Sequence, residues 1–337
     1  MSGEEKTLGV GIVGLGFMGQ THLGAYQRAA EAGFKNRLVA VCDADPMRLE
    51  GKVVAAGNFD TEASQELFDP AEVSGYEDPA ELFADPEVDI VSICTPTDSH
   101  VDLAIAALEA GKHVLVEKPV ATTAAEVRRL AEVDARTEAL CMPAMCMRFW
   151  PAWAWLEERV REGTYGKVRS AAFQRLGTQP GWGEGFYQDD SRTGGALVDL
   201  HIHDADYVRW IFGAPDEVRS TGTAGHITTL YRYLDGPAHV VAEGGWDHTP
   251  GSPFTMRYVV VFDEATANFE LGREQELMLA KDGEFEAVEV DEINGYDGEI
   301  RHLLGAIASG EELQATIAQA ADLAEMLEAE REALGAT

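Results

Sequence analysis

GIVGLGFMGQTH, residues 11–22, combines an apolar strand-like run with the spacing Gly14-x-Gly16-x-x-Gly19 and a following helical stretch. This order of strand, turn and helix is the context in which the spacing binds a dinucleotide. Gly14 permits the tight turn, Gly16 lets the backbone approach a pyrophosphate, and Gly19 allows close packing of helix on strand. The alternative interpretation is an ordinary strand-to-helix turn with no ligand. The predicted phosphate-binding residues are Gly14, Gly16, Phe17, Met18 and Gly19.

A carboxylate follows the second apolar run of the chain, RLVAVC at residues 37–42. Asp43 lies roughly 20 residues beyond the glycine turn, where a dinucleotide-binding domain places the acid that contacts the adenosine ribose. A carboxylate there accepts hydrogen bonds from the ribose hydroxyls and repels the 2′-phosphate of NADP. The sequence therefore predicts NAD as the cofactor, with NADP as the less favoured alternative.

Strands and helices alternate through the first part of the chain. Apolar runs end on an acid or a proline, and helical segments with cap residues separate them. This alternation predicts an α/β fold with a doubly wound parallel sheet of the Rossmann type, a dinucleotide-binding domain over residues 1–147. The predicted strands are residues 8–14, 37–43, 86–96, 113–116 and 139–147, while residues 54–76 are interpreted as loop and short helix.

The remainder of the chain, residues 148–337, follows a different pattern. Alternating strands joined by Gly, Pro and Asp turns predict an α+β domain with an open, mainly antiparallel sheet. Two domains are also expected because 337 residues exceed what one hydrophobic core usually serves. The predicted strands are residues 167–176, 216–224, 228–235, 238–246, 256–263 and 266–271, and a helical block at residues 299–334 closes the chain.

The composition is acidic, with 59 Asp and Glu residues against 26 Lys and Arg residues and a formal net charge of −33. Such a field repels nucleic acids and anionic membranes, so neither is an expected partner. The acids are scattered along the chain. This distribution fits either adaptation to a salty cytoplasm or an acidic protein from an ordinary cell.

Several absences bear on the cellular compartment. The N-terminal stretch MSGEEKTLG carries acids where a signal peptide needs a basic region. No apolar run approaches the length of a membrane span. The four cysteines show no CxxC spacing and are interpreted as reduced core thiols. The sequence therefore predicts a cytoplasmic protein.

The stretch TGGALVDLHIHDAD, residues 193–206, holds histidines among aspartates. On a helix, Asp199 and His203 share a face, so the carboxylate can hold the imidazole ring and favour the imidazolium that forms when the ring takes a proton. The alternative is a capping acid beside a core histidine. A zinc site is disfavoured, because His201 and His203 face apart on a helix and no second His/Cys cluster has ligand spacing. No metal is predicted.

KHVLVEKPVAT, residues 112–122, places Lys118 at the carboxyl end of an apolar strand and stops that strand with Pro119. Charges and prolines commonly end strands, so these residues alone favour a plain structural explanation. In a dinucleotide-binding domain, however, the cofactor lies at the carboxyl ends of the strands. Lys118 therefore faces the expected cofactor cleft, as do Thr95 and Pro96 at the end of the preceding strand.

Taken together, these motifs resemble those of the Gfo/Idh/MocA family of oxidoreductases. The resemblance covers nearly the whole length, and an EKP motif followed by GG-x-L-x-D-x-x-x-H is specific in this order. The stretches that carry it are GLGFMG (14–19), CTPTDSH (94–100), AGKHVLVEKP (110–119), RFWPAWAWLEERVREGTYGKV (148–168) and GGALVDLHIHDAD (194–206).

The resemblance implies NAD(P)-dependent interconversion of a secondary alcohol and a ketone on a sugar or cyclitol, with Lys118, Asp199 and His203 as catalytic residues. It also implies that residues 148–337 bind the substrate and form a homo-oligomer, a dimer or tetramer, through their sheet. The Lys118–Pro119 peptide bond is expected to be cis. Further predicted cofactor contacts are Thr95, Pro96, His100, Glu117 and Lys118, and predicted substrate contacts are Lys118, Arg148, Trp182, Asp199 and His203.

Two positions depart from the family pattern. His201 stands where glycine is usual and Trp150 replaces a commonly polar residue, and both changes are expected to narrow or reshape the substrate pocket. Packing in the core or on the surface is the alternative role for the aromatic and basic candidates, namely Arg148, Trp150, Arg175, Trp182 and Arg192.

Two other functions fit the same motifs. One is a glycosidase with tightly held NAD, which releases product without net reduction of the cofactor. The other is a non-enzymatic dinucleotide-binding sensor. The joint presence of Lys118, Asp199 and His203 argues against the sensor.

Overall fold

The computed structural model describes residues 6–52, 66–181 and 185–335, and these form two compact units. The first unit comprises the described residues up to 146 together with residues 294–321. The second unit comprises residues 147–293 together with the described residues from 322 onward. The chain leaves the first unit close to the domain boundary predicted after residue 147.

The first unit contains a parallel six-stranded sheet in the order β3-β2-β1-β4-β5-β6. The central strands β1, β4 and β5 are almost entirely buried, as expected when helices cover both faces of a parallel sheet. The predicted Rossmann architecture is confirmed. The strands are β1 (Leu8–Val13), β2 (Asn36–Cys42), β3 (Ser74–Tyr76), β4 (Ile90–Ile93), β5 (His113–Val116) and β6 (Cys141–Pro143).

Helices connect these parallel strands. The cap residues define where two of them begin: Asp78 accepts a hydrogen bond from the backbone N–H of Ala80, and Thr123 accepts one from that of Glu126. The Lys118–Pro119 peptide bond between β5 and the fourth helix is cis, as the resemblance implied. The helices are α1 (Phe17–Glu31), α2 (Pro79–Ala84), α3 (His100–Glu109) and α4 (Ala124–Asp134).

The second unit contains an eight-stranded sheet in the order β14-β13-β12-β11-β7-β10-β9-β8. Neighbours pair antiparallel except β7 and β10, which run parallel, so the sheet is mainly antiparallel as predicted. The strands are β7 (Val168–Leu176), β8 (Glu217–Thr223), β9 (His226–Arg232), β10 (His239–Gly245), β11 (Thr255–Phe262), β12 (Ala265–Glu270), β13 (Leu277–Lys281) and β14 (Glu284–Ala287).

Aromatic side chains form the core between this sheet and its helices. Trp153 is fully buried, and its ring meets Tyr207 at 4.7 Å and Tyr258 at 5.2 Å between ring centroids, both edge to face. Trp153 therefore anchors the helices of the second unit to its sheet. The helices are α5 (Pro151–Glu162), α6 (Asp190–Thr193), α7 (Gly195–Asp199) and α8 (Ile202–Phe212).

The predicted C-terminal helical block consists of two helices, α9 (Gly295–Ser309) and α10 (Ile317–Gly335). The compact units differ here from the sequence-based domains, because α9 belongs to the first unit and not to the second. α9 packs against α1, where Arg28 forms a bidentate ion pair with Asp297 at 2.6–3.0 Å. Long-range packing of this kind leaves no periodic signal in the sequence.

Candidate active site

The glycine turn between β1 and α1 is shaped by close approaches of the backbone. Gly14 has φ +90°, and a β-carbon added to it would lie 2.7 Å from the carbonyl oxygen of Cys94. A β-carbon on Gly19 would lie 1.9 Å from the carbonyl oxygen of Gly14. Neither position admits a side chain without movement of the backbone. The turn therefore brings the ends of β1 and β4 and the start of α1 together, as the motif predicts.

The first turn of α1 offers an anion-binding surface. Among the described residues, a β-carbon on Gly16 would meet only Arg48 Nη1, at 4.0 Å, so these residues leave space beside the glycine. The residue that precedes the helix, Gly16, has no side chain to cap it, and the first turn contains no acidic residue. Free N–H groups and the helix dipole favour a phosphate at such a terminus. Phe17 and Met18 lie half-buried in this turn. These residues fit a dinucleotide pyrophosphate.

Asp43 is held rigidly beside the glycine turn. Its Oδ2 accepts a hydrogen bond from the backbone N–H of Leu15 at 2.7 Å, and its Oδ1 accepts one from that of Asp45 at 2.9 Å. Arg48 Nη1 lies 3.4 Å from Oδ2. The sequence reasoning did not identify Arg48, although Asp45 and Pro46 begin a short 3₁₀ helix that carries it.

The carboxyl ends of β1, β4 and β5 lie at one edge of the sheet, because the three strands are parallel neighbours. Thr95 follows β4, and its hydroxyl lies 2.7 Å from that of Ser99, which donates to the carbonyl of Pro96. Lys118 is half-buried after β5. This edge therefore gathers Gly14, Thr95 and Lys118, the predicted cofactor side of the site.

His100 and Glu117, two further predicted cofactor contacts, are buried side chains that join parts of this edge. The His100 ring lies between two carbonyl oxygens, Nδ1 2.9 Å from Pro119 and Nε2 2.8 Å from Thr95. Burial lowers the pKa of His100, although both carbonyls oppose this, so the neutral ring donates its single N–H to one of them. Glu117 Oε2 accepts the backbone N–H of Lys118 at 2.9 Å. The structure therefore directs both side chains at the protein backbone.

Asp199 and His203 do not share one helix, which corrects the sequence-based interpretation. Asp199 ends α7, and α8 begins only at Ile202. Between them the N–H groups of Leu200 and His201 both donate to the carbonyl of Ala196, a widened turn that interrupts the helical register. Helical spacing therefore does not place Asp199 and His203 on one face. Both Asp199 and His203 are half-buried in the second unit, and their catalytic roles stay a prediction.

His201 lies in the core of the second unit. Its ring is fully buried, with Nε2 2.8 Å from Glu330 Oε2 and 3.2 Å from the hydroxyl of Tyr231. A β-carbon added to Gly244 would lie only 2.7 Å from the Cβ of His201, so the His201 ring packs directly on β10. The expectation that this residue reshapes a substrate pocket is wrong, because the ring is directed at the sheet and α10.

Two of the arginine candidates have buried partners. Arg148 is 4% exposed and donates to both carboxylate oxygens of Asp206, at 2.9 Å and 2.6 Å. Arg175 donates to both oxygens of Asp204, each at 3.1 Å. These contacts match the alternative role of both arginines, which is packing in the core. Trp182 lies outside the described residues.

Across residues 6–52, 66–181 and 185–335, no three His, Cys, Asp or Glu side chains are gathered so as to hold a metal ion. In the same ranges, no helix has the length and apolar character needed to cross a membrane.

Comparison with known protein families identifies both parts of the chain. Residues 8–145 match an oxidoreductase family with an NAD-binding Rossmann fold. Residues 153–268 match the GFO/IDH/MocA C-terminal domain. The two matched segments follow each other in the order predicted for the two domains.

Individual relatives are similar over part of their length. The myo-inositol 2-dehydrogenase of Thermotoga maritima is 31% identical over 216 residues, which cover 64% of this chain and 58% of that protein. The levoglucosan dehydrogenase of Pseudarthrobacter phenanthrenivorans is 32% identical over 219 residues, 62% of this chain and 52% of that protein. The chain spans about half the length of the curated relatives it matches.

Solved structures are similar over nearly the full length. A levoglucosan dehydrogenase in complex with NADH and levoglucosan has a TM-score of 0.83 at 22% identity, with 98% of each chain covered. An oxidoreductase domain protein from Kribbella flavida has a TM-score of 0.83 at 23% identity, again with 98% of each chain covered. At these identities the likeness shows the fold.

Proposed function

The chain belongs to the GFO/IDH/MocA oxidoreductase family, and we propose that it transfers a hydride between a secondary alcohol of a cyclic polyol and NAD. The observation that carries the proposal is the strand edge of the first unit, where the glycine turn, Asp43 and Lys118 stand at the carboxyl ends of parallel strands. The names of relatives that act on inositol and levoglucosan support a sugar or cyclitol as substrate.

Residues of the first unit would hold the cofactor. The backbone N–H groups at the start of α1 would bind its pyrophosphate, and Asp43 would accept hydrogen bonds from its adenosine ribose. Bound NAD supplies the hydride acceptor. Asp43 makes NAD the preferred cofactor, and Arg48 beside it supplies a cation for the 2′-phosphate of NADP. We therefore propose a preference and not strict exclusion.

The catalytic roles follow from the chemistry of alcohol oxidation. His203 takes the hydroxyl proton of the substrate as general base. Asp199 favours, through its negative charge, the imidazolium that forms on His203. Lys118 donates a hydrogen bond to the substrate oxygen and stabilises its developing negative charge. In the reverse direction, His203 returns the proton to the ketone oxygen.

A panel of polyols and aldoses, including myo-inositol, scyllo-inositol and levoglucosan, tests this proposal with NAD and with NADP. The expected result is accumulation of reduced nicotinamide absorbance with at least one cyclic polyol, faster with NAD. Lys118→Met is expected to abolish most of this activity, while Lys35→Met, an exposed lysine of the same unit, serves as the matched control. Product release without net reduction would identify a glycosidase, and cofactor binding without turnover would identify a sensor.

We further propose that two copies of the chain associate through the outer face of the eight-stranded sheet. Side chains alternate along these strands, so one face packs on the helices and the other does not. The outer face carries apolar residues, including Ala172, Val241, Val259 and Leu230, which is 38% exposed. A two-fold interface uses the same patch on both subunits.

Light scattering of the wild type and of Val259→Arg tests this assembly. The wild type is expected to be a dimer or tetramer and the variant a smaller species, with Lys35→Met as the control. A monomeric wild type would contradict the proposal.

A further inference from the structure

A cluster of titratable side chains lies buried beneath the Lys118 turn in the first unit. His22 on α1 is fully buried, and its Nε2 lies 2.9 Å from Glu117 Oε1 and 3.8 Å from Glu299 Oε1 on α9. Its Nδ1 lies 3.5 Å from the sulfur of Cys94. Glu117 and Glu299 are 5% and 0% exposed. Two carboxyl groups and an imidazole therefore share one site that is buried from solvent.

The hydrogen bonds around His22 form a single chain. Burial raises the pKa of Cys94 well above its ordinary value, so the thiol keeps its proton beside His22 Nδ1. Nε2–H then donates to Glu117 Oε1. Burial raises the pKa of Glu117, but the hydrogen bond from His22 lowers it, and the net pKa is below its ordinary value, so the carboxylate is ionised. Its Oε2 accepts the backbone N–H of Lys118.

Glu299 is the unusual member of the cluster. Among the residues that the structure describes, neither of its buried carboxyl oxygens has a hydrogen-bond partner. Burial, reinforced by the charge of Glu117, raises the pKa of Glu299 well above its ordinary value. Two carboxylates this close in a low dielectric cannot both ionise cheaply. The proton therefore resides on Glu299.

We propose that His22 and Glu299 are positioning residues for Lys118. Because Glu299 is neutral, Glu117 carries the only negative charge of the cluster. His22 holds the Glu117 carboxylate in the place where it accepts the backbone N–H of Lys118. The proposal rests on the catalytic role of Lys118 given above. The three side chains come from α1, the turn after β5, and α9, so the cluster joins three distant parts of the chain at this turn.

The two glutamates should respond differently to the same substitution. Glu299→Gln replaces a neutral acid with a neutral amide and should lower kcat by less than about threefold. Glu117→Gln removes the negative charge of the carboxylate that accepts hydrogen bonds from His22 and Lys118. It should lower kcat by about tenfold to 10²-fold, because Lys118 would then be misplaced. The KM for NAD should change less than kcat. Equal losses of kcat in the two variants would overturn the assignment of charge.

Two variants of His22 separate donation from mere packing. His22→Gln keeps an amide N–H near the position of Nε2, whereas His22→Leu removes the donor and keeps a similar bulk. We expect the kcat of His22→Gln to exceed that of His22→Leu by at least about fivefold. Equal kcat in two variants of equal unfolding midpoint would assign His22 a packing role and overturn its positioning role.

Infrared difference spectroscopy of wild type against Glu299→Gln reads the protonation state without requiring activity. The expected signal is a carboxylic acid C=O band at neutral pH that is absent from the variant. Labelling Glu299 with ¹³C should shift the frequency of this band. Absence of the band would show an ionised Glu299 and overturn the inference. If the band is present but no polyol is oxidised, the proposed function fails while the neutral state of Glu299 stands, so the two failures are distinguishable.

Discussion

Each unit buries one histidine against one glutamate, and the two pairs differ in what the second carboxylate oxygen binds. In the first unit His22 lies 2.9 Å from Glu117, whose other oxygen accepts the Lys118 amide. In the second unit His201 lies 2.8 Å from Glu330, whose other oxygen accepts the hydroxyl of Tyr231.

The partner of that second oxygen decides the role of each pair. The first pair ends on the backbone of a proposed catalytic turn. The second pair ties α10 to β9, because Thr229 also donates to Glu330, at 3.0 Å. We therefore expect changes in the first pair to lower turnover, and changes in the second to lower stability.

The largest effect is expected for Glu330→Ala. The substitution leaves His201, Tyr231 and Thr229 without their shared acceptor, and breaking a buried pair of this kind costs about 3–5 kcal/mol of unfolding free energy. Urea unfolding measures the loss, with Glu332→Ala, an exposed glutamate of the same helix, as control. The kcat per folded molecule should stay close to that of the wild type. A loss no larger than that of the control would remove the structural role of this pair.

His203→Ala sharpens the comparison within the second unit, because His203 lies only two residues beyond His201. Loss of a general base should lower kcat by roughly 10²-fold or more, with unfolding free energy and NADH affinity little changed. Steady-state kinetics and NADH fluorescence titration separate these effects. Turnover near that of the wild type would assign the proton transfer to another group.

A third carboxylate, Asp43, is hydrogen-bonded to the glycine turn and is the proposed contact of the adenosine ribose. Asp43→Asn removes the charge that repels the 2′-phosphate and should lower the ratio of kcat/KM for NAD over NADP by about tenfold. Arg48→Gln should raise that ratio, since it removes the neighbouring cation. Parallel assays with both cofactors provide the ratio. A wild type whose kcat/KM for NADP equals or exceeds its kcat/KM for NAD would refute the role of Asp43.

The smallest effect is expected for His226, a half-buried counterpart of the two buried pairs. Its Nδ1 lies 2.8 Å from Asp247 and its Nε2 3.1 Å from Glu243. Partial burial lowers the pKa of His226, but the hydrogen bonds to Asp247 and Glu243 raise it more, and the net pKa is raised. The stabilisation is therefore present below the unfolded-state pKa and is lost as the pH rises through the folded-state pKa.

The stability difference between wild type and His226→Gln should accordingly shrink as the pH rises from about 6.5, the ordinary pKa of histidine, into the alkaline range. It should stay under about 1 kcal/mol, because solvent screens a largely exposed pair. Thermal unfolding across this pH range measures the difference. A difference that grows with pH would reverse the assigned sign.

The sequence predicts the first unit well because buried parallel strands appear as apolar runs. β3 (Ser74–Tyr76) is missed, since three residues with Ser and Gly form no such run. In the second unit β14 (Glu284–Ala287) is exposed throughout, so it lacks the alternation that marks a half-buried strand. The break between α7 and α8 is also invisible to helical spacing, because it depends on a local widening of the backbone.

The site shows the same division. Gly14, Asp43 and Lys118 are predictable, because each stands at a fixed place relative to a strand. Their partners are not: the contact between His22 and Glu299 joins helices far apart in the sequence, and a single chain carries no signal for it. Sequence spacing predicts which residues lie at the cofactor edge, while packing determines which side chains hold them.

Deuterium transfer tests the central claim most directly. The protein is incubated with NAD and a cyclic polyol deuterated at its carbinol carbons, beginning with myo-inositol and continuing through the panel, and the reduced cofactor is examined by mass spectrometry. Direct hydride transfer predicts that the NADH carries deuterium, that turnover is slower than with the unlabelled polyol, and that Lys118→Met and His203→Ala both suppress the labelled product. Consumption of the polyol with no labelled NADH would contradict the proposed function.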